Sequence, residues 1–101
     1  MQNDTKILSL LGLASRARKV VTGDVLMKYI RSQKVECVFL ANDASENTKK
    51  KYLDKCSYYH IPIFLFSDVE SLSKAIGKEN RVCVGISDKG FAIKIKSMIG
   101  G

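Results

Sequence analysis

The chain is poor in the residues that most catalytic, metal and secreted domains depend on. It has no tryptophan, one proline and one histidine, and its three cysteines show no C-x-x-C spacing. Neither a disulfide framework nor a zinc site is therefore predicted. No apolar run approaches the roughly 20 residues of a membrane helix, and no basic leader with an apolar segment opens the chain. We expect a cytoplasmic protein with no cofactor, no metal and no membrane partner.

The composition combines a sizeable apolar fraction with an excess of positive charge. With 46% hydrophobic residues, the 101-residue chain can build one core, so residues 1–101 are predicted to form a single domain. Lysine and arginine number 17 against 10 acidic residues, a formal net charge of +7. A small surface with this charge attracts polyanions, which makes nucleic acid the expected partner. A charge that serves only solubility is the alternative interpretation.

Segments with helical and strand patterns alternate along the chain. Four short apolar segments rich in strand formers are predicted strands, at residues 19–21, 35–41, 63–66 and 82–86. Turn and capping residues between them predict helices, and Ser67-Asp68-Val69-Glu70 matches a capping box with Ser67 as the cap. This alternation predicts an α/β domain with helices on both faces of a small, largely parallel sheet.

The most informative stretch joins a basic segment to the start of the second predicted helix. Thr22-Gly23-Asp24 opens this helix, whose inner face is predicted to carry Val25, Leu26, Tyr29 and Ile30. A helix N-terminus presents unpaired N–H donors and partial positive charge, and a glycine there lets a phosphate approach the backbone. Lys28 lies one turn further along. The stretch predicts an anion site.

Further donors lie before and after this helix start. We expect three cations to flank the same end of the helix: Arg16, Arg18 and Lys19. The predicted loop Lys78-Glu79-Asn80-Arg81 carries amide and guanidinium donors suited to base edges or phosphate. Sequence alone does not determine whether this loop lies beside Thr22-Gly23.

Other chemistry is less well supported. Cys56 and His60 are i, i+4 neighbours, but Cys56 also belongs to a predicted buried stripe, and the helix dipole favours a histidine near a helix C-terminus. The first strand-to-helix turn lacks G-x-G-x-x-G, so neither a nucleotide-binding enzyme nor a small-molecule substrate is expected. Lys49-Lys50-Lys51 is interpreted as a solvated helix face rather than a second binding stripe. No enzyme is predicted.

Several separated motifs resemble a known family. They are Leu11-Gly12-Leu13-Ala14-Ser15-Arg16-Ala17-Arg18-Lys19-Val20-Val21-Thr22-Gly23, Asn42-Asp43-Ala44-Ser45, Asp54-Lys55-Cys56-Ser57-Tyr58-Tyr59, Ile76-Gly77-Lys78-Glu79-Asn80-Arg81-Val82 and Asp88-Lys89-Gly90-Phe91-Ala92. In this order they closely resemble the bacterial YlxQ-like family of the L-seven-Ae/L-thirty-e superfamily of kink-turn-binding ribosomal proteins. The resemblance implies a three-layer α/β/α sandwich with a small mixed four-stranded sheet and helices on both faces.

The resemblance also implies binding of structured RNA at a sharply bent internal loop. The superfamily signature Gly-x-Asn-Glu-x-x-Lys begins the second helix. Anchoring on Lys28 places Asp24 at the asparagine and Val25 at the glutamate, whereas anchoring on Gly23 leaves the lysine one residue early. Ionised Asp24 can only accept hydrogen bonds, and Val25 makes none through its side chain, so RNA binding as a class is better supported than kink-turn recognition.

The resemblance extends the expected RNA contact to the loop before the last strand, at Glu79, Asn80, Arg81 and Val82. Together with Arg16, Arg18, Lys19, Thr22, Gly23, Asp24 and Lys28, these residues form the predicted RNA-binding site. The expected function is non-catalytic binding of ribosomal or other non-coding RNA, associated with the ribosome or translation. The alternative is an adaptor that binds a protein of the translation or RNA-processing machinery.

Overall fold

The computed structural model describes residues 2–100, with side chains from 4 to 99. Helices and strands alternate through this part of the chain. In order they are α1 Gln2–Arg16, β1 Val20–Val21, α2 Gly23–Arg31, β2 Cys37–Leu40, α3 Glu46–Tyr58, β3 Ile63–Leu65, α4 Val69–Ala75, β4 Cys83–Ile86 and α5 Lys89–Gly100.

The four strands form one mixed sheet in the order β1-β4-β2-β3. β2 pairs parallel with β3, whereas β4 runs antiparallel to both of its neighbours, β1 and β2. The mixed sheet implied by the family resemblance is confirmed, and the largely parallel sheet expected from the alternation is wrong. An apolar run indicates that both faces of a strand are buried, as they are along all of β4, but it carries no information on the direction of the strand.

Helices cover both faces of the sheet. Helices α1, α4 and α5 pack on one face around Phe39. The centroid of the Phe39 ring lies 5.7 Å from that of Phe64 and 5.9 Å from that of Phe66. Helices α2 and α3 pack on the other face, where the neighbouring β2 side chains Val38 and Leu40 point. This confirms the three-layer α/β/α sandwich.

Gly85 determines how closely α2 approaches the sheet. A Cβ at this position of β4 would overlap the Leu26 side chain of α2 and lie 2.9 Å from a Val35 methyl carbon. Only a residue without a side chain therefore allows Leu26 to pack directly on β4. This close contact holds the start of α2 near the strand that carries Gly85.

Two local expectations are wrong. Val25 was expected on the inner face of α2, but it is 49% exposed, and Met27 is buried in its place. Ser67 is not the cap of α4, because it adopts a positive φ of 60°. The cap is Asp68, whose carboxylate accepts the Ser71 N–H at 2.6 Å, and this hydrogen bond lowers the pKa of Asp68.

Candidate nucleic-acid interface

The end of the sheet where β1 finishes is the end where β4 begins. Val21, the last residue of β1, pairs with Gly85 in antiparallel register, so the chain leaves β1 on the side from which it enters β4. The register thus brings the start of α2 and the loop before β4 to one edge of the sheet. We call residues 22–28 and 78–82 at this edge the loop edge.

The N-terminus of α2 is left open by its own cap residue. Thr22 has an extended backbone but makes no side-chain capping hydrogen bond. By contrast, Ser45, Asp68 and Asp88 each accept a backbone N–H at the start of α3, α4 and α5. The first N–H groups of α2 therefore have no capping side chain and remain available to an external acceptor.

Gly23 keeps the approach to these N–H groups clear. Its φ of +61° lies in the left-handed region, and a Cβ built there would meet nothing within 4 Å. The glycine is exposed, so a phosphate oxygen could come close to the backbone of the first turn.

The exposed side chains at the start of α2, up to Lys28, are one anion, one apolar side chain and one cation. Asp24 and Lys28 are exposed and, at positions i and i+4, are neighbours on the helix surface. Val25, which follows Asp24, is exposed as well. Val25 was missed as a surface residue. Three consecutive apolar residues, 25 to 27, cannot all face inward on one helix, and that run was the signal that could have identified it.

The loop before β4 is tied to α4 by Ser73. Its hydroxyl accepts the Arg81 N–H at 2.8 Å and donates to the Arg81 carbonyl at 3.3 Å. Asn80 has a positive φ of 54° and, like Glu79, is exposed. Val82 packs against the buried residues between the sheet and helices α2 and α3, here called the α2–α3 core cluster. Its carbonyl accepts the Ala41 N–H at 2.9 Å. The loop is therefore anchored at 81–82 and exposed at 79–80.

The Arg81 side chain folds back along this loop. Its Nη1 donates to the Glu79 carbonyl at 3.2 Å. Its Nε is the one buried side-chain nitrogen or oxygen in the described residues that has no hydrogen-bond partner. Beside the loop lies an open pocket of about 610 Å³, bordered by Asp43, Lys78 and Asn80. The loop edge thus combines donors with a concave surface.

Three predicted site residues lie away from the loop edge. Lys19 precedes β1, and its carbonyl accepts both the Ser87 N–H at 2.9 Å and the Ser87 hydroxyl at 3.1 Å at the far end of the sheet. Arg18 adjoins it, and Arg16 borders an open groove of about 570 Å³ between α1 and α4. The two residues of β1 lie between these cations and the start of α2 in the chain, and their place beside that helix start stays a prediction.

The described residues do not favour the competing chemistry. Burial raises the pKa of the Cys56 thiol to about 11, which opposes its ionisation as a nucleophile, and His60 is exposed beyond the end of α3. Within residues 2–100, no group of three or more His, Cys, Asp or Glu side chains could hold a metal ion. No described helix has the length and apolar character to cross a membrane.

Known proteins resemble this chain along nearly its whole length. It is 52% identical over 101 residues to the RNA-binding protein YlxQ of Enterococcus faecium, covering 98% of this chain and 96% of the relative. It is 51% identical over 94 residues to the RNA-binding protein YlxQ of Bacillus subtilis strain 168, covering 89% and 91%.

Solved structures share the fold. A protein of unknown function from Bacillus halodurans superposes with a TM-score of 0.89 at 44% identity, covering 95% of this chain and 98% of that one. The Giardia lamblia 15.5kD RNA binding protein superposes with a TM-score of 0.81 at 16% identity, covering 99% and 87%. A family profile matches residues 5–96. The chain therefore belongs to the ribosomal protein L7Ae/L30e/S12e/Gadd45 family.

Proposed function

We propose that this protein binds structured RNA at the loop edge without catalysing a reaction. The observation that carries the proposal is the open N-terminus of α2, where Thr22 makes no capping hydrogen bond and Gly23 leaves the backbone accessible beside the loop before β4. Backbone N–H groups at such a helix start are suited to a phosphate or a base-edge acceptor. The relatives named RNA-binding protein YlxQ support the same class of ligand.

The proposed site assigns a different task to each group of residues. Thr22, Gly23 and Asp24 determine the register of the RNA, and Lys28 neutralises a phosphate. Glu79, Asn80, Arg81 and Val82 contact the RNA from the neighbouring loop. Arg16, Arg18 and Lys19, all exposed, contact phosphates of a flanking duplex that continues past β1.

A kink-turn-like internal loop is the proposed target, because a sharp bend lets one RNA contact both the start of α2 and the loop at 78–82. An RNA of the ribosome or of the translation machinery in the cytoplasm is the proposed context, in keeping with the family to which the chain belongs. A protein adaptor remains the alternative, and ribonuclease treatment of an extract distinguishes the two. A protein contact survives this treatment, and an RNA-bridged one does not.

Calorimetric titration with a kink-turn duplex and a straight duplex of equal length tests the proposal. We expect tighter binding to the bent RNA, and equal binding to both would contradict the kink-turn target. Lys28→Ala should weaken binding and lower the slope of log affinity against log salt by roughly one unit, as expected for one lost phosphate contact. Lys94→Ala, an exposed lysine on α5, is the matched control and should change neither quantity.

A further inference from the structure

An exposed aromatic side chain lies at the end of the molecule opposite the loop edge. Because β2 finishes at the loop edge and β3 runs parallel to it, α3 carries the chain back to the far end of the sheet. Tyr58 is the last residue of α3, and with 75% of its surface exposed it is the most exposed large hydrophobic side chain described. An exposed tyrosine ring offers an apolar face and a hydroxyl to a ligand.

The position of the Tyr58 ring is supported by its neighbour. The Tyr59 ring meets it edge to face, with centroids 4.8 Å apart and an interplanar angle of 84°. Tyr59 itself packs against the α2–α3 core cluster, and its carbonyl accepts the Gln33 side-chain N–H at 2.9 Å. Because Tyr59 holds the Tyr58 ring in place, less conformational entropy is lost when a ligand binds to that ring.

Lysines line the helix that leads to this ring. The ammonium of one of them, Lys51, lies 5.9 Å from the centroid of the Tyr52 ring. Lys51, Lys55 and Tyr58 follow one another at i, i+4 and i+7 and so form one stripe along α3. Lys34 follows Gln33, whose side chain reaches the end of α3. The ion pair described in this structure joins Lys49 to Glu46 and involves none of these lysines. Helix α3 carries four lysines against two carboxylates, Glu46 and Asp54, so positive charge prevails along the helix that ends in this ring.

We propose that the surface formed by Lys34, Lys51, Lys55 and Tyr58, here called the Tyr58 surface, binds unpaired nucleotides. A base stacks on the Tyr58 ring while the lysines contact the adjacent phosphates, the combination by which proteins hold single strands without reading their sequence. The proposal rests on the proposed RNA-binding function and adds a second contact to it. A single-stranded flank of the bound RNA would reach it across a molecule whose longest dimension is 30 Å. Lys51 thereby becomes a binding residue, whereas the sequence alone favoured a solvated face.

Fluorescence anisotropy of a labelled oligouridylate titrated with the full chain tests the Tyr58 surface. This probe has no duplex and cannot form a kink-turn. Tyr58→Ala should weaken its binding about tenfold, the effect of losing one base–aromatic stack. Tyr58→Phe keeps the ring and should bind like the parent protein. Leu53→Ala is the matched control, since Leu53 is an exposed apolar residue of the same helix outside the lysine stripe, and it should leave affinity unchanged.

The same variants separate this proposal from the function on which it rests. Tyr58→Ala should bind a kink-turn duplex without unpaired flanks as the parent does, whereas Lys28→Ala should lose affinity for that duplex. If the parent fails to discriminate the kink-turn duplex and Lys28→Ala leaves its affinity unchanged, while oligouridylate binding still depends on Tyr58, the loop-edge proposal fails and the Tyr58 surface stands. The Tyr58 surface is overturned if the parent does not bind oligouridylate or if Tyr58→Ala binds it equally well. It is also overturned if the substitution removes only a ribonuclease-resistant protein complex, because the surface is then a protein contact.

Discussion

The Ser73 hydroxyl bonds to both polar backbone groups of Arg81, accepting its N–H at 2.8 Å and donating to its carbonyl at 3.3 Å. Among the described residues, Ser73 is the one polar or charged residue that is buried, with 4% of its surface exposed. One hydroxyl therefore replaces the strand pairing that Arg81 lacks before β4 begins. Through this contact, α4 holds the exposed residues 79–80 at a defined place on the loop edge.

Ser73→Ala should destabilise the protein and loosen this loop. The substitution removes the Ser73 partner of the partly buried N–H and carbonyl of Arg81, a cost of about 1–3 kcal/mol in the free energy of unfolding. Urea denaturation measures the loss of stability, and faster hydrogen exchange of the Arg81 amide would show that the loop before β4 has become looser. Ser97→Ala removes an exposed hydroxyl that bonds within α5, and it should change stability by less than about 0.5 kcal/mol. Equal effects of the two substitutions would contradict the role of Ser73.

Gly85→Ala should push α2 away from the sheet. The added methyl group would overlap the Leu26 side chain, and overpacking of this kind costs about 1–3 kcal/mol of stability. Because α2 carries the proposed RNA contacts, affinity for the kink-turn duplex should fall as well. Denaturation and calorimetry measure the two effects.

A double-mutant cycle with Leu26→Ala provides the control for Gly85. Leu26→Ala alone leaves a cavity costing about 2–5 kcal/mol, and it also removes the nearest of the atoms that a Gly85 methyl group would meet, while those of Val35 and Val21 remain. The two substitutions together should therefore cost less than the sum of their separate effects. Strict additivity would show that Gly85 and Leu26 are not in the contact described here.

The sequence predicted the elements better than their arrangement. Apolar runs located β2 and β4 because both strands are buried on both faces, but burial carries no information on direction, so the antiparallel course of β4 was missed. The pairing of Val21 with Gly85, which joins the two halves of the loop edge, is a long-range contact that no local pattern encodes.

The three cysteine thiols should be unreactive in the native protein. All three are buried, and burial raises the pKa of Cys37 to about 12 and that of Cys56 to about 11, with Cys83 also well above its ordinary value. A thiol reagent should modify them slowly in the native state and completely in guanidinium chloride. Rapid native labelling of any one of them would contradict its burial.

The same pKa shifts predict that stability falls in alkaline solution. Between the unfolded-state thiol pKa of about 8.5 and the raised native values, the unfolded chain releases protons that the native protein retains, so rising pH favours unfolding. The loss approaches about 1.4 kcal/mol per thiol for each pH unit in this window. Urea denaturation at about pH 8 and about pH 10 measures it. Cys56→Ala should lower stability at both values but reduce the difference between them, since that variant has one fewer thiol to ionise.

Asp24→Asn should strengthen RNA binding, although it changes a single exposed residue of α2. At the open helix N-terminus the carboxylate occupies a position where an RNA phosphate would approach, and like charges about 4 Å apart in water repel by about 1 kcal/mol. An asparagine removes this repulsion and adds two N–H donors, so affinity for the kink-turn duplex should rise by about fivefold. Calorimetry at two salt concentrations measures it. Asp54→Asn removes an equal charge on α3, outside the loop edge, and separates this local effect from a change in net charge. A matching gain from both variants, or a loss from Asp24→Asn alone, would mean that the carboxylate does not face a phosphate, and the proposed orientation of RNA on α2 would then be wrong.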